Sequence, residues 1–286
     1  MSLIRYPGGK NKIKNKILDS IINLESFHSM EYREPFFGGG SIGLALIEHG
    51  IKNIWINDRD PAMACLWTSV LIEPNSLIKK IQSYKPTVES FFSIREELLA
   101  IDEIPKETSN IIDIGFKKFV IHQISFSGLG TKSGGPLGGI EQKSEYKVDC
   151  RWSPIHFCKK IEKFHSLFKK VKVTHDCCTN FDFEILLKNK SKNYYSYIDP
   201  PYFHKGNDLY QFGFSSYDHL RLSKCLKSSN AKWILSYDDC KEIRSLYEWA
   251  CVQEIDVNYT IASQKDNVTG KKSFSKKGEL IIRRCV

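Results

Sequence analysis

The chain has 286 residues, 41% hydrophobic and 26% charged, a balance that excludes a disordered chain and allows one large α/β domain with a sizeable insertion. Lys and Arg outnumber Asp and Glu by 42 to 33, with a sequence isoelectric point near 9.0, which fits either a polyanionic partner, most simply nucleic acid, or a basic surface with no such commitment. Met1 to Lys10 carries charges and a Pro-Gly-Gly where a secretion signal needs an apolar stretch, and no apolar run is long enough for a membrane span, so the expected location is the cytoplasm.

The first predicted element follows Tyr6-Pro7-Gly8-Gly9-Lys10: Ile13, Ile17, Ile21 and Ile22, with Lys and Asn between, read as a basic amphipathic helix. Glu34-Pro35-Phe36-Phe37-Gly38-Gly39-Gly40-Ser41 reads as a strand end and glycine-rich turn, and Ile42 to His49, closed by Gly50, as the next helix. Asn53 to Asn57 is a short buried strand that breaks at Asp58-Arg59-Asp60-Pro61. Helical periodicity then fills Ala62 to Ile72, Asn75 to Ser83, Thr87 to Ile101 and Asn110 to Ile124, and Ser125 to Trp152 is a Gly-rich polar loop. Alternation resumes with a strand at Lys170 to Thr174, a helix at Phe183 to Leu187, a strand at Tyr194 to Ile198 running into Asp199, a helix at Tyr217 to Lys227 and a strand at Trp233 to Tyr237. Val252 to Ala262 and Glu279 to Arg284 are β-rich, around a Lys/Ser/Gly stretch at Gln264 to Gly278 that reads as a mobile loop. The expected fold class is α/β: a doubly wound sheet in residues 1–60 and 169–286, interrupted at 61–168 by a mostly helical insertion that carries the Gly-rich loop 125–152.

The nine cysteines include no CxxC pair, and neither Cys177-Cys178 nor the Cys150, His156, Cys158 neighbourhood has the paired spacing of a structural zinc site. They are expected to be reduced, mostly buried thiols.

Three glycines between a strand and a helix serve either close packing or a ligand. Asp58, about 20 residues later at the end of the next strand, tilts the balance, because a carboxylate there meets the hydroxyls of a nucleoside ribose. The turn is neither GxGxxG nor a phosphate-binding loop with its Lys-Ser/Thr, so the candidate ligand is an adenosine without a triphosphate, such as S-adenosylmethionine. The Asp199-Pro200-Pro201-Tyr202 corner supplies the matching chemistry. An exocyclic amine is a poor nucleophile because its lone pair is delocalised into the ring. A carboxylate oxygen of Asp199 and the carbonyl of Pro200 can hold both its hydrogens and turn the lone pair outward, and the two prolines fix one acceptor relative to the other. Tyr202, and Phe203 beside it, can stack on the base. Such a pocket admits adenine only if the base leaves the duplex, and the transfer needs no metal.

"YPGGK", "EPFFGGGS" with "IND" following, "DPPY" and a closing "WILSY…ELII" occur in order over nearly the whole chain, and together they resemble the dam-like DNA adenine-N6 methyltransferases. The resemblance implies a Rossmann-like methyltransferase fold, S-adenosylmethionine as methyl donor, double-stranded DNA as partner, and a target-recognition domain between the cofactor and catalytic motifs. It places Tyr6, Lys10, Phe36, Gly38, Gly40 and Asp58 on cofactor-contacting positions and Asp199 to Tyr202 on the catalytic motif, Asp199 also facing the cofactor. Phe181 matches an aromatic that packs near the cofactor adenine, and Asn180 stands where the family usually has an acid. An enzyme of this kind acts as an orphan methylase or beside a cognate restriction endonuclease.

Among other readings, cytosine N4 or a protein amide as acceptor fits less well with Asp at the first motif position, RNA is an alternative acceptor, and a non-catalytic nucleic-acid-binding protein fits less well with Asp58, Asp199, Pro200 and Tyr202 all in place. Lys79, Lys80, Lys117, Lys118, Lys132 and Lys143 of the insertion meet phosphates or form a solvated face. Arg151, next to Trp152, reads a guanine edge or braces the loop. The loop does not reproduce the hairpin by which the best-known members read GATC.

Overall fold

Strands β1 (Glu31–Glu34), β2 (Asn53–Ile56), β3 (Lys172–Val173), β4 (Tyr194–Ile198), β5 (Lys232–Asp238), β6 (Cys251–Lys265) and β7 (Lys272–Arg283) form one sheet in the order β3-β2-β1-β4-β5-β7-β6. The computed structural model describes residues 2–5, 13–174, 179–188, 193–265 and 272–285, the side chains of 256–265 and 272–277 lying outside that description. The five strands from β3 to β5 are parallel, and β7 runs antiparallel to both β5 and β6. The chain winds outward from β1 to β3, then returns to the other side of β1 for β4 and β5. The strand order therefore reverses between β1 and β4, and in doubly wound sheets the crevice at the carboxyl ends of two such strands is where ligands bind.

Helices α1 (Lys14–Ile22) and α2 (Gly43–Glu48) precede β2, α3 (Pro61–Ile72), α4 (Pro74–Ser83), α5 (Val88–Leu99), α6 (Thr108–Ile124) and α7 (Pro154–Phe168) fill the interval between β2 and β3, and α8 (Phe183–Lys188), α9 (Gly206–Leu209), α10 (Ser216–Ser228) and α11 (Lys241–Leu246) lie among the later strands. Local chemistry starts several of them. The Asp60 carboxylate accepts the N–H groups of Ala62 and Met63 at the head of α3, with Pro61 in the first helical position. Reciprocal capping boxes join Thr87 to Ser90 ahead of α5 and Ser215 to Asp218 ahead of α10. Helix α3 is buried continuously from Pro61 to Val70, as expected of a helix apolar on all sides. One hydrophobic core runs from Ile17, Tyr32 and Ile54 through Trp67, Ile81 and Phe119 to Phe164, so the helices between β2 and β3 share their interior with one face of the sheet. A second core, with Phe183, Ile198, Leu222, Leu235 and Tyr247, covers the other face. No helix among the described residues is long and apolar enough to cross a membrane.

Four features depart from the sequence expectations. Helix α7 was not anticipated, although Phe157, Ile161, Phe164 and Phe168 recur at helical spacing behind Pro154 and are buried. The short helices α9 and α11 add a turn or two that no periodicity announces. Within the stretch from Gln264 to Gly278, expected as a loop, the described residues are strand: β6 reaches Lys265 and β7 begins at Lys272, paired through main-chain bonds to which Lys/Ser composition is blind, while 266–271 lie outside the described residues. Two of the expected free thiols, Cys251 and Cys285, form a disulfide, because the antiparallel register that sets Cys251 opposite Arg283 brings their Cα atoms to 5.2 Å. Cys65, Cys158 and Cys225 are buried thiols as expected, Cys240 is half-buried and Cys150 exposed; Cys177 and Cys178 lie outside the described residues.

Candidate active site

The glycine turn leaves the end of β1 with Gly38 at φ 48° and Gly40 at φ 71°, left-handed conformations open to glycine at little cost. Main-chain and side-chain bonds fasten it on three sides. Phe37 N–H donates to the Asn57 carbonyl at 2.9 Å, Gly38 N–H donates to Asp58 Oδ2 at 2.8 Å, and the Trp67 indole N–H donates to the Gly38 carbonyl at 2.8 Å. A Cβ on Gly40 would lie 2.9 Å from ring atoms of both Phe37 and Trp67. Gly40→Ala is therefore expected to cost about 2–4 kcal/mol, from left-handed strain plus overpacking, read as a lowered Tm.

Asp58, just beyond β2, is buried, and its other oxygen, Oδ1, accepts Asp60 N–H at 3.0 Å. Burial first, then repulsion from Asp60, push its pKa up to about 7, against the pull of the two N–H groups and Lys118. Asp60 in turn holds a buried ion pair with Lys118 of α6, Oδ2 to Nζ 2.5 Å. One turn further along α6, His122 donates from Nδ1 to the Gly128 carbonyl at 2.9 Å, and burial, with Lys118 nearby, keeps it neutral down to about pH 3. A continuous set of contacts thus joins the glycine turn to the start of the Gly-rich loop.

Asp199 follows β4 directly. Ser236 Oγ, on the adjacent β5, donates to Asp199 Oδ1 at 2.8 Å and is 3.0 Å from the Tyr197 hydroxyl. Pro200 is buried, Tyr202 donates its hydroxyl to Glu279 Oε1 on β7 at 3.0 Å, and Phe203 N–H donates to Asp238 Oδ1 at the end of β5 at 3.1 Å. The corner is thereby tied to β5 and β7. Glu34, buried at the end of β1, accepts the Tyr32 hydroxyl at 2.6 Å and Gly43 N–H at 3.0 Å. Burial pushes its pKa well above the usual carboxylate range, and the charges of both Asp199 and Asp58 act on it in the same direction. The two predicted carboxylates therefore flank Glu34, at the point where the strand order reverses.

The remaining expected cofactor residues fall unevenly. The Phe36 ring is half-buried against Phe183 and Phe214, with centroids 5.9 and 5.4 Å away. Asn180 is half-buried and Phe181 keeps 38% of its surface exposed. Tyr6 and Lys10 lie outside the described residues. Four contributors escaped sequence reasoning. Asn57 donates to the carbonyls of Pro35 and Phe181, at 3.0 Å each, and accepts the Thr179 hydroxyl at 2.6 Å, stitching the segment after β3 to the ends of β1 and β2. Ser236, Trp67 and Lys118 are the others. Asn57 and Ser236 were visible inside "IND" and "WILSY", but only pairing across strands gives them work.

On the Gly-rich loop, Lys132 and Arg151 are exposed, and Lys143 is exposed beside Glu141. Trp152 faces inward: its indole N–H donates to the Tyr84 carbonyl at 3.1 Å, and its ring packs within 5.3 Å of Tyr84 and Phe157. Of the helical lysines, Lys118 is neither a phosphate contact nor a solvated residue, being buried on Asp60, while Lys80 and Lys117 pair with Asp113. Cβ atoms on Gly134, Gly135 and Gly139 would meet open space, and Phe126, Ile140 and Tyr146 nearby are 62–66% exposed.

Among solved structures, precorrin 8w decarboxylase from Methanobacterium thermoautotrophicum is similar over 98% of this chain and 94% of its own, with 8% identity and a TM-score of 0.40, too loose a likeness to carry weight. No curated protein matches the chain. The model of the D12 class N6 adenine-specific DNA methyltransferases matches residues 6–261, a span that takes in the glycine turn, both flanking carboxylates and the whole helical interval. The chain belongs to the D12 class N6 adenine-specific DNA methyltransferase family, and with it come DNA as substrate and S-adenosylmethionine as methyl donor.

Proposed function

We propose that methyl transfer to adenine N6 takes place in the crevice between the ends of β1, β2 and β4, with the cofactor over the glycine turn and a flipped adenine at the Asp199 corner. The observation that carries this is the placement of Asp58 and Asp199 on either side of Glu34 at the reversal point, Asp199 being fixed by Ser236. The turn fits the pattern of a nucleoside site: a strand end, a turn with two left-handed glycines, and a buried acid at the end of the neighbouring strand. Asp58 receives ribose hydroxyls, and Phe36 and Phe181 bound the adenine side, with Asn180 beside them. When bound, the cofactor supplies an electrophilic methyl.

The chain's own residues prepare the acceptor. The Asp199 carboxylate and the Pro200 carbonyl accept the two hydrogens of the amine, which draws the nitrogen toward sp³ geometry and frees its lone pair. Pro201 holds the corner and Tyr202, anchored on Glu279, offers its ring to the base. Expelling adenine from the duplex costs roughly a few kcal/mol, which contacts from residues 61–168, acting as the target-recognition domain, offset. Lys132, Lys143 and Arg151 flank the open glycines there, and exposed Phe126 and Tyr146 give that face surfaces for bases to stack on; Trp152 supports it from beneath. Replacing Lys132 and Arg151 by Gln is expected to lower the slope of DNA affinity against salt by about one per residue, measured by fluorescence anisotropy.

The test is incubation of the purified protein with labelled cofactor and unmethylated DNA, then digestion to nucleosides. Label in N6-methyldeoxyadenosine is expected; label on cytosine N4, or none, contradicts the reading. Sequencing modified bases in cells that express the chain then shows which site is methylated and whether it serves as an orphan enzyme or as the protective half of a restriction pair.

A pH dependence follows from Asp58. Its folded pKa, about 7, lies above the ordinary 3.8, so the folded state binds the extra proton. The stability this group contributes is full below about pH 4 and is lost as pH rises through about 7. Cofactor affinity runs the other way, since ribose hydroxyls donate best to the ionised carboxylate. Calorimetric titrations from pH 5.5 to 8.5 should show affinity rising with pH, and Asp58→Asn should weaken binding and flatten the profile.

A further inference from the structure

Beside the Asp-Pro-Pro-Tyr corner, three side chains of different donor type converge. His204 Nε2 lies 3.2 Å from Glu242 Oε2, and one ligating atom each from His204, Cys240 and Glu242 lies within 4.8 Å of the other two. Both backbone segments that carry them are already fastened. Phe203, which packs edge-on against the His204 ring at 5.1 Å, donates its N–H to Asp238 Oδ1, and Asp238 ends β5 two residues before Cys240. Cys240 immediately precedes α11, and Glu242 stands in the first turn of that helix. Side-chain exposures of 57% for His204 and 45% for Glu242 leave the cluster open to solvent on one side.

The Glu242 carboxylate is the meeting point, in contact with His204 Nε2 and hydrogen-bonded by the Cys240 thiol, so all three potential ligands already share one centre. Donor atoms around a tetrahedral ion with bonds near 2.1 Å stand about 3.5 Å apart, so small rotations close this set around a cation. One thiolate, one imidazole and one carboxylate suit a borderline divalent ion and disfavour magnesium or calcium, which take oxygen ligands. We propose that His204, Cys240 and Glu242 bind a divalent transition-metal ion of the zinc or cobalt kind, its fourth position open to solvent. The ion lies outside the methyl-transfer chemistry. Its effect is to tie the segment after Tyr202 to the turn after β5, stiffening the corner from behind.

The test is titration of the metal-free full-length protein with cobalt(II). A thiolate-to-cobalt charge-transfer band should saturate at one equivalent and bleach when zinc is added. Cys240→Ser should abolish it, while His204→Gln and Glu242→Gln should each weaken binding by about tenfold or more. Unchanged circular dichroism and unchanged metal-free methyl transfer in Cys240→Ser would show that the loss is local. The proposal is overturned if the wild-type protein gives no band, if the band survives Cys240→Ser, or if cobalt affinity is indifferent to both His204→Gln and Glu242→Gln.

Discussion

Asp199→Ala is expected to lower the rate of methyl transfer by about 10³-fold or more, a loss of at least about 4 kcal/mol of transition-state stabilisation, while DNA affinity stays within a few-fold of wild type. The split follows from where the carboxylate sits. It stands at the end of β4 rather than on the loop that carries Lys132 and Arg151, and its partner Ser236 keeps a second contact with the Tyr197 hydroxyl at 3.0 Å when the acid is gone, so the corner stays folded. What disappears is the acceptor that draws the amine toward a nucleophilic geometry, an interaction strongest in the transition state. Single-turnover kinetics with saturating cofactor, alongside DNA anisotropy, separate the two effects. Loss of cofactor binding with chemistry intact would mean that Asp199 serves the cofactor alone.

Lys118→Met is expected to destabilise the protein by about 3–5 kcal/mol, because it leaves the Asp60 carboxylate buried without its cation. Both side chains are more than nine-tenths buried, so water cannot replace the partner. The same ammonium also lowers the pKa of Asp58. Its removal should therefore shift the cofactor-affinity profile to higher pH, which a purely structural lysine would not do. Adding Asp60→Asn removes the orphaned charge and should recover most of the lost stability, since one amide oxygen can still accept from Ala62 and Met63. Chemical denaturation of the two single variants and the double variant measures this. Additive losses would show that the pair is not coupled.

Much of this was legible in the sequence, for identifiable reasons. Glycines that need a left-handed turn, an acid at a strand end and a Pro-Pro corner are local requirements, and Gly38, Gly40, Asp58 and Asp199 stand where those requirements put them. The helices α3 to α6 announced themselves through their apolar residues, continuous in α3 and at helical spacing in α4 and α5. What the sequence hid depends on partners distant in the chain. Lys118 looks like any lysine until Asp60, 58 residues earlier, is placed against it; Cys251 and Cys285 look like free thiols until β6 and β7 are in register. Trp152, adjacent to a loop arginine, suggests a DNA contact until Tyr84, Phe119 and Phe157 surround its ring. Helix α7 is a different case, since its spacing, Phe157, Ile161, Phe164 and Phe168, is plain in the sequence.

The central claim is geometric, and a crystal structure of the protein with DNA and the unreactive product S-adenosylhomocysteine tests it most directly. The account predicts an extruded adenine whose N6 lies within about 2.7–3.2 Å of both an Asp199 carboxylate oxygen and the Pro200 carbonyl oxygen, with the cofactor ribose on Asp58. An adenine still stacked in the duplex, or a bound adenine whose amine is held by other groups while Asp199 faces away, would contradict it.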